Sequence, residues 1–483
     1  MNANPSKNTL VFLLTKAFNN LLYPRQIVIE HSYGNGYFCH SAKWEVLSDD
    51  EIQKVETQLF EWLDSETPIL LESRSRERVW QDLVNMNSLS KLELLKQWNV
   101  DSVPIIQYGK DWDLQLGVME TDKSRLKIFA LLKYNDGFII RFQNQHGEIP
   151  PFKDQPKLFS IFEEHERWGS ILGVSTIREL NELIRSGGIR EMIWVAEGLH
   201  EKKISDIADK MGTEFPEKRI ISIAGPSSSG KTTFAKRLGI QLRVNGYKTV
   251  QISMDDYFID RNKIRPDKDG QLDFEAIYSL NVDLLCHRLQ QLLEGTSIQR
   301  RKYDFQTGRG HDTGEEIVLD ECDFIILEGI HGLNPILKDK LGEDRLQRIY
   351  VSAITQMNID ANHRVSTSDN RLLRRMVRDN NFRGYSTVDT LDRWSMVRRG
   401  EEHNIFPFQE EANCMFNSSL IYELPVLAKY AIPLLKKVDK DSKFFVEAER
   451  LKLLLSFFEI LDEKYVPGIS ILKEFIGNSD FNY

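Results

Sequence analysis

Apolar residues recur along this chain with two different periods. From Asp49 to Asp64, Ile52, Val55, Leu59 and Trp62 fall three or four positions apart, which predicts an amphipathic helix. Ser6 to Leu22 reads as an earlier helix. Ile27 to Ile29 and Gly36 to Phe38 read as short strands around a turn at Gly34-Asn35. Leu126 to Lys133 and Gly137 to Gln143 suit a hairpin about Asn135-Asp136-Gly137, because Asn and Gly tolerate the positive φ of tight turns. Residues 1–150 therefore predict an α+β domain. Pro150-Pro151 and Pro156 break the pattern. Leu158 to Arg185 and Ile189 to Met211 are then mostly helical, divided by Ser186-Gly187-Gly188, and predict a helical connector over 151–213.

The pattern changes after residue 214. Ile220–Ala224, Thr249–Ser253 and Phe324–Leu327 read as short apolar strands. Such runs belong to strands covered on both faces, as in a parallel sheet flanked by helices. Thr232 to Asn245 reads as a helix carrying Phe234, Leu238 and Leu242 on one face, with Gly246 placed to end it. Residues 214–425 thus predict an α/β domain, and 426–483 predict C-terminal helices. The apolar face of Leu451 to Ile460 suits a core or a contact with a second copy of the chain better than an active site.

Between the first of these strands and its helix lies Gly225-x-x-x-x-Gly230-Lys231-Thr232. This is a complete P-loop pattern, and it changes the picture from fold to chemistry. Glycines let the main chain curl until its N–H groups point at phosphate oxygens, and the helix N-terminus adds its positive dipole end. The predicted nucleotide contacts are Gly225, Pro226, Ser227, Ser228, Ser229, Gly230, Lys231, Thr232 and Thr233. Lys231 reaches the β- and γ-phosphates, and the Thr232 hydroxyl ligates Mg²⁺. The third apolar run ends in Glu328-Gly329, where a carboxylate serves the same Mg²⁺ directly or through water. The second ends in Met254-Asp255-Asp256. Strand C-terminal ends open onto the ligand crevice, so Asp255 is placed to accept a proton from an attacking hydroxyl; a turn or helix cap made by either aspartate is the plainer alternative. Arg371, Arg374, Arg375 and Arg378 share one helical face, and Arg383 follows. Asp369 and Asp379 are the only acids of that segment, too few for five guanidinium groups. A mobile lid closing over transferring phosphate is the expectation, against a solvated basic face.

The 483 residues are 41% hydrophobic and 28% charged, enough for two to four domains with proper cores and no broad disorder. A formal net charge of −9 argues against bulk affinity for nucleic acid. Cys39, Cys286, Cys322 and Cys414 form no CxxC pair, which argues against disulfide or zinc frameworks. Leu10–Leu14 is too short for a signal segment, and nothing approaches a transmembrane length. A cytoplasmic protein is expected.

Several phrases in order, GPSSSGKTT, DDYF, KYDFQTG (Lys302 to Gly308), IILEGI (Ile325 to Ile330) and LLRRMVRD (Leu372 to Asp379), resemble uridine kinases and the related phosphoribulokinases from about residue 218 to about 425. The resemblance implies an ATP-dependent kinase with Mg²⁺ and an alcohol acceptor. It implies Asp255 as general base, Asp273 on ribose hydroxyls, Tyr303 against a pyrimidine, and Arg375 and Arg383 on phosphate, with Arg378 assigned to the substrate. Those kinases usually carry a base-reading histidine five residues after the tyrosine; here that position is Gly308. A nucleoside or similar small ribose compound is the expected acceptor. A phosphorylated sugar, gripped by Arg301, Lys302 or Arg309, is the rival.

The segments Ile29 to His40, Ser73 to Leu83 and Tyr108 to Leu131 are similar to the second additional domain of threonyl-tRNA synthetases, which removes mischarged amino acids. That resemblance places Asn8 and Phe12 at the two histidines of its HxxxH pair and Gln115 and Met119 at its cysteine and histidine. None of these side chains can hold zinc or relay protons, so the shape is expected without the hydrolysis. His31 and His40 remain, more readily structural than catalytic. The same resemblance keeps open a different class, in which the front half grips tRNA and the P-loop half is a nucleotide switch.

Overall fold

The structure, a computed structural model, describes residues 4–264, 273–355 and 357–483. The chain packs as two compact units, each assembled from separated stretches. One comprises Met1–Met192, Thr355–Asn370 and Leu424–Leu461; the other comprises Ile193–Ile354, Arg371–Glu423 and Asp462–Tyr483. The expected division into four consecutive segments is therefore replaced by an interleaved one. The connector helices 151–213 are shared out, with Pro156–Leu172 and Ile177–Ser186 in the first unit, and the last 58 positions (426–483) are divided near residue 461. Apolar faces decide this: Leu451, Leu454 and Leu455 are buried in the first unit and Ile471, Leu472 and Phe475 in the second. Consecutive chain order carries no information about which core an amphipathic face will join.

In the first unit, the helix Pro5–Leu21 is capped by the Asn4 side chain, and Asp49–Asp64 by a reciprocal Ser48/Glu51 box. Their apolar faces, including Leu13, Leu14, Phe18, Ile52, Val55 and Leu59, pack with Ile27, Phe138 and Ile140 in one core. The sheet beneath is antiparallel, in the order Ile27–Tyr33, Gly36–Ser41, Gly137–Phe142, Phe129–Tyr134. Gly34 and Asn35 both take positive φ at the first hairpin, and Asn135 does at the second. A second antiparallel sheet of Ile69–Ser75, Ser102–Tyr108 and Asp111–Leu114 has no counterpart in the predicted elements. Its edge strand Ile69–Ser75 is exposed at most positions, so the apolar alternation that announces a strand is missing.

The second unit is built on a five-stranded parallel sheet, in the order Cys414–Asn417, Leu346–Ser352, Ile220–Ala224, Asp323–Glu328, Lys248–Ser253. This is the expected α/β architecture. Every residue of Ile220–Ala224 is buried, and the strand turns into the helix Lys231–Val244 through the glycine-rich loop. Gly225 has no room for a side chain, since a Cβ there would fall 1.9 Å from the Val351 carbonyl oxygen. An antiparallel hairpin, Ile298–Asp304 with Arg309–Ile317, stands beside the sheet and carries Tyr303 and Gly308. Among the described residues no helix is long and apolar enough to cross a membrane.

Candidate active site

Parallel register brings the C-terminal ends of three neighbouring strands to one edge. Glu328 pairs in register with Ile223 on one side and Ser253 on the other, so the P-loop, Glu328 and Asp255 converge there. Ser228 and Gly230 take positive φ, which curls the loop, and the helix then starts at Lys231. The Lys231 Nζ donates to the Pro226 carbonyl at 3.2 Å. The Thr232 hydroxyl lies 3.5 Å from Glu328 Oε2, and the Ser253 hydroxyl donates to Glu328 Oε1 at 3.0 Å.

Charges at this edge are held away from their ordinary protonation. Burial, and next the neighbouring Asp255, push the Glu328 carboxyl up to about 7. Asp255 is exposed. Desolvation still raises its carboxyl, against the opposing pull of Lys231 and Arg383. Burial lowers the Lys231 ammonium. The acids and the lysine are thus crowded together without closing into an ion pair. Crowding of this kind, in a cleft, marks functional sites.

Asp255 and Asp256 part company in a short 3₁₀ turn, Met254–Tyr257, rather than at the end of an extended strand. Asp256 turns to the hairpin, where it takes Lys302 Nζ at 3.0 Å and the Tyr303 N–H at 3.3 Å. Asp255 stays in range of Lys231, Arg378 and Arg383.

The arginine row divides. Arg371 and Arg374 are buried: Arg371 pairs with Glu401, and Arg374 with Glu423 at 2.6 Å. Both also donate to P-loop carbonyls, of Ser227 and Ser228. The expectation of five arginines in one mobile lid does not hold for these two, because acids from remote segments supply the missing partners. Arg375, Arg378 and Arg383 gather instead around Asp379, at 3.2, 3.0 and 3.6 Å. Arg375 reaches the Ser227 hydroxyl at 2.8 Å. Arg383 is lowered to about 10, by burial first and then by Arg378.

On the side of the hairpin, Tyr303 is buried between Phe258 and Phe305, with ring centroids 5.5 and 5.1 Å away. Asp273 is half-buried, and its Oδ1 accepts the Glu275 N–H at 2.9 Å in a local turn. Beside Gly308, whose φ is positive, Arg261 fills the space, and a Cβ at Gly308 would lie 2.7 Å from Arg261 Cβ. Three carboxylates at this edge had no signal in the sequence. Glu275 is pushed up to about 7, mainly by burial, among Arg375, Glu401, Asp255 and Lys231. Glu401 accepts the Ser227 N–H at 3.0 Å, and Glu474 accepts the Thr233 N–H at 3.2 Å.

In the first unit, Asn8, Phe12 and Met119 line one cavity of about 50 Å³, together with Asp113, His363 and Arg364. Gln115 is outside that lining and donates to the Gly117 carbonyl at 3.2 Å. His31 is buried in a stack on Phe162, and burial, with Arg364 next, lowers its pKa well below the ordinary histidine value. His40 stacks on Trp44, with its Nδ1 2.7 Å from the Ser41 carbonyl oxygen. Both histidines are packed among aromatic rings and lie outside the lining of that cavity. Among the described residues no cluster of three or more His, Cys, Asp or Glu could by itself hold a metal ion.

A P-loop on the central strand of a parallel sheet, with Glu328 ending the next strand, Asp255 following the one beyond it, and Arg378 and Arg383 in range of Asp255, defines a phosphate-transferring P-loop enzyme. Residues 220–421 match the family described as phosphoribulokinase/uridine kinase. A uridine kinase of Brevibacillus brevis is 31% identical over 181 residues, 37% of this chain and 75% of that protein. One from Halalkalibacterium halodurans is 32% identical over 181 residues, 37% of this chain and 76% of the relative. The chain belongs to the phosphoribulokinase/uridine kinase family of ATP-dependent kinases. Among solved structures, a possible uridine kinase from Bacillus stearothermophilus matches at 19% identity, over 45% of this chain and 98% of that one, with a TM-score of 0.31. No residue assignment depends on it.

Proposed function

We propose that this protein transfers the γ-phosphoryl group of ATP to a hydroxyl of a nucleoside or similar small ribose compound. The observation that carries the reading is the convergence of Lys231, Thr232, Glu328 and Asp255 at one sheet edge, with Asp256 turned away to Lys302. In this reading the P-loop N–H groups of Gly225 to Thr233 hold the phosphates, and Lys231 neutralises charge on the transferring group. Arg375 and Arg383 assist it, and Arg378 stands toward the acceptor. Asp255 takes the proton of the attacking hydroxyl, a role its raised carboxyl suits better than an ordinary surface aspartate.

The residues fit Mg²⁺. Glu328 is an acid raised by burial and by Asp255, 3.5 Å from the Thr232 hydroxyl, and it lacks the counter-charge a divalent cation provides. Thr232 and Glu328 would hold that ion, which when bound neutralises charge on the β- and γ-phosphate oxygens. For the acceptor, Tyr303 offers a ring near Phe258 and Phe305, and Asp273 a carboxylate whose Oδ1 already serves a turn. A phosphorylated-sugar acceptor is less favoured, because Lys302 is committed to Asp256 and Arg301 lies 3.9 Å from Asp312. The front unit is read as a threonyl-tRNA synthetase-like shape without its chemistry, and the protein as cytoplasmic.

An ADP-release screen with Mg·ATP over nucleosides and sugar phosphates tests the reading. Release stimulated by a nucleoside is expected. Release stimulated only by sugar phosphates, or by no acceptor, would overturn the acceptor assignment.

A further inference from the structure

The P-loop helix has a second claimant. The first turn of a helix leaves its N–H groups without partners inside the helix, and in a P-loop those groups face phosphate. Here the Thr233 N–H donates to Glu474 Oε2 at 3.2 Å and the Thr233 hydroxyl donates to the same oxygen at 2.7 Å. The Tyr483 hydroxyl completes the cluster, 2.9 Å from the Thr233 hydroxyl. Lys473, Phe475 and Ile476 are buried, and Phe475 lies 5.0 Å from the Arg374 guanidinium. Gly230 accommodates the approach, since a Cβ there would fall 2.4 Å from Ile471 Cγ2. Glu474 also acts on the phosphate-facing charges, favouring the Lys231 ammonium and pushing the Glu328 carboxyl up.

A carboxylate accepting two hydrogen bonds at the start of a P-loop helix has the chemistry of a phosphate oxygen: negative, acceptor-only, and favoured by the helix dipole. We propose that Glu474 occupies the Thr233 donors in place of a nucleotide phosphate and thereby sets the affinity for nucleotide. This rests on the reading of the P-loop as a nucleotide site. The nucleotide enters only from the fraction of molecules in which Glu474 has withdrawn, so its apparent dissociation constant is raised by that fraction. Glu401 on the Ser227 N–H differs in kind, because Arg371 and Arg398 bind it in a buried network and hold it to the loop.

The test is a titration of the full-length protein with Mg²⁺ and a non-hydrolysable ATP analogue. Glu474→Ala and Glu474→Gln should bind the analogue more tightly than wild type, by about tenfold for the alanine, the scale of a charge-assisted hydrogen bond. The Michaelis constant for the acceptor should not move. Hydrogen exchange on the wild type gives a second reading free of mutation: residues 471–477 should lose protection when the analogue binds. Unchanged or weaker binding by both variants, or unchanged protection, would overturn the proposal and leave Glu474 a structural cap. Failure of wild type and both variants alike to bind the analogue would instead sink the P-loop reading beneath it.

Discussion

Two clusters of charge, one in each unit, are handled in opposite ways. In the first, burial alone would raise the Asp113 carboxyl, but Lys16 and Lys91 more than offset it and hold it far below the usual carboxylate range. Its oxygens are taken, by Lys16 at 3.2 Å, by Lys91, and by the Leu114 N–H at 2.8 Å. In the second, Glu328 and Glu275 are each pushed up to about 7, Asp255 is raised and Lys231 lowered. One set of charges is settled by its neighbours; the other is left poised. A buried charge therefore signals function when its protonation is unfavourably poised, and architecture when it is paired.

The comparison can be broken most severely at the P-loop. Lys231→Ala should lower ATP turnover by roughly 10³-fold or more, as loss of a group that stabilises the transferring phosphoryl does. Circular dichroism should show the fold intact, and normal turnover in a folded variant would remove Lys231 from the chemistry. Asp113→Asn should do the reverse. Leaving two buried lysines short of a partner costs about 3–5 kcal/mol of stability, read by urea denaturation, while kcat stays at the wild-type value.

The signs of the pH dependence also differ. Raised acids bind their protons more tightly when folded, so the contribution of Glu328 and Glu275 is complete below about 4.5 and is lost as pH rises through about 7. The depressed Asp113 contributes above about 3.8 and loses its contribution as pH falls below that. Thermal melts of unliganded protein should therefore decline from pH 4.5 toward 8, with Glu328, Glu275 and the first unit's Glu166, raised to about 7 by burial, all contributing, and Glu328→Gln should make that decline shallower. An equal decline in the variant would show that Glu328 is not one of the groups.

Smaller effects are expected where groups are missing. Under the proposed reading of the front unit, in which Asn8, Phe12, Gln115 and Met119 stand where that family carries its chemical groups, no deacylation of mischarged threonine tRNA and no stoichiometric zinc should be measurable. Discrimination of uridine from other nucleosides should be weak, because Gly308 has no side chain to leave unpaired. Strict uridine dependence would point to another reader, with Arg261 the side chain that fills that space.

Local pattern made much of this legible. The helix Asp49–Asp64 has the bounds its periodicity predicts, and the P-loop strand and helix are fixed by eight consecutive positions, Gly225 to Thr232. What could not be read came from far along the chain. Arg371 and Arg374 looked short of acids because Glu401 and Glu423 lie 30 and 49 positions away, and Glu474 reaches Thr233 across 241. The hairpin strand Arg309–Ile317 is exposed along most of its length and so carries no apolar alternation to find. Spacing along a chain shows what a segment can form; it does not show which remote carboxylate will fold onto it.

The account depends most on Asp255 being the group that takes the acceptor proton. Steady-state phosphoryl transfer by Asp255→Asn and Asp256→Asn, with Mg·ATP binding measured alongside, tests this directly. Asp255→Asn should lower kcat by roughly 10²–10⁴ with nucleotide binding close to normal, and Asp256→Asn, which keeps an amide oxygen for the Tyr303 N–H and removes only the charge facing Lys302, should cost far less. A fully active Asp255→Asn, or a dead Asp256→Asn beside it, would contradict the account.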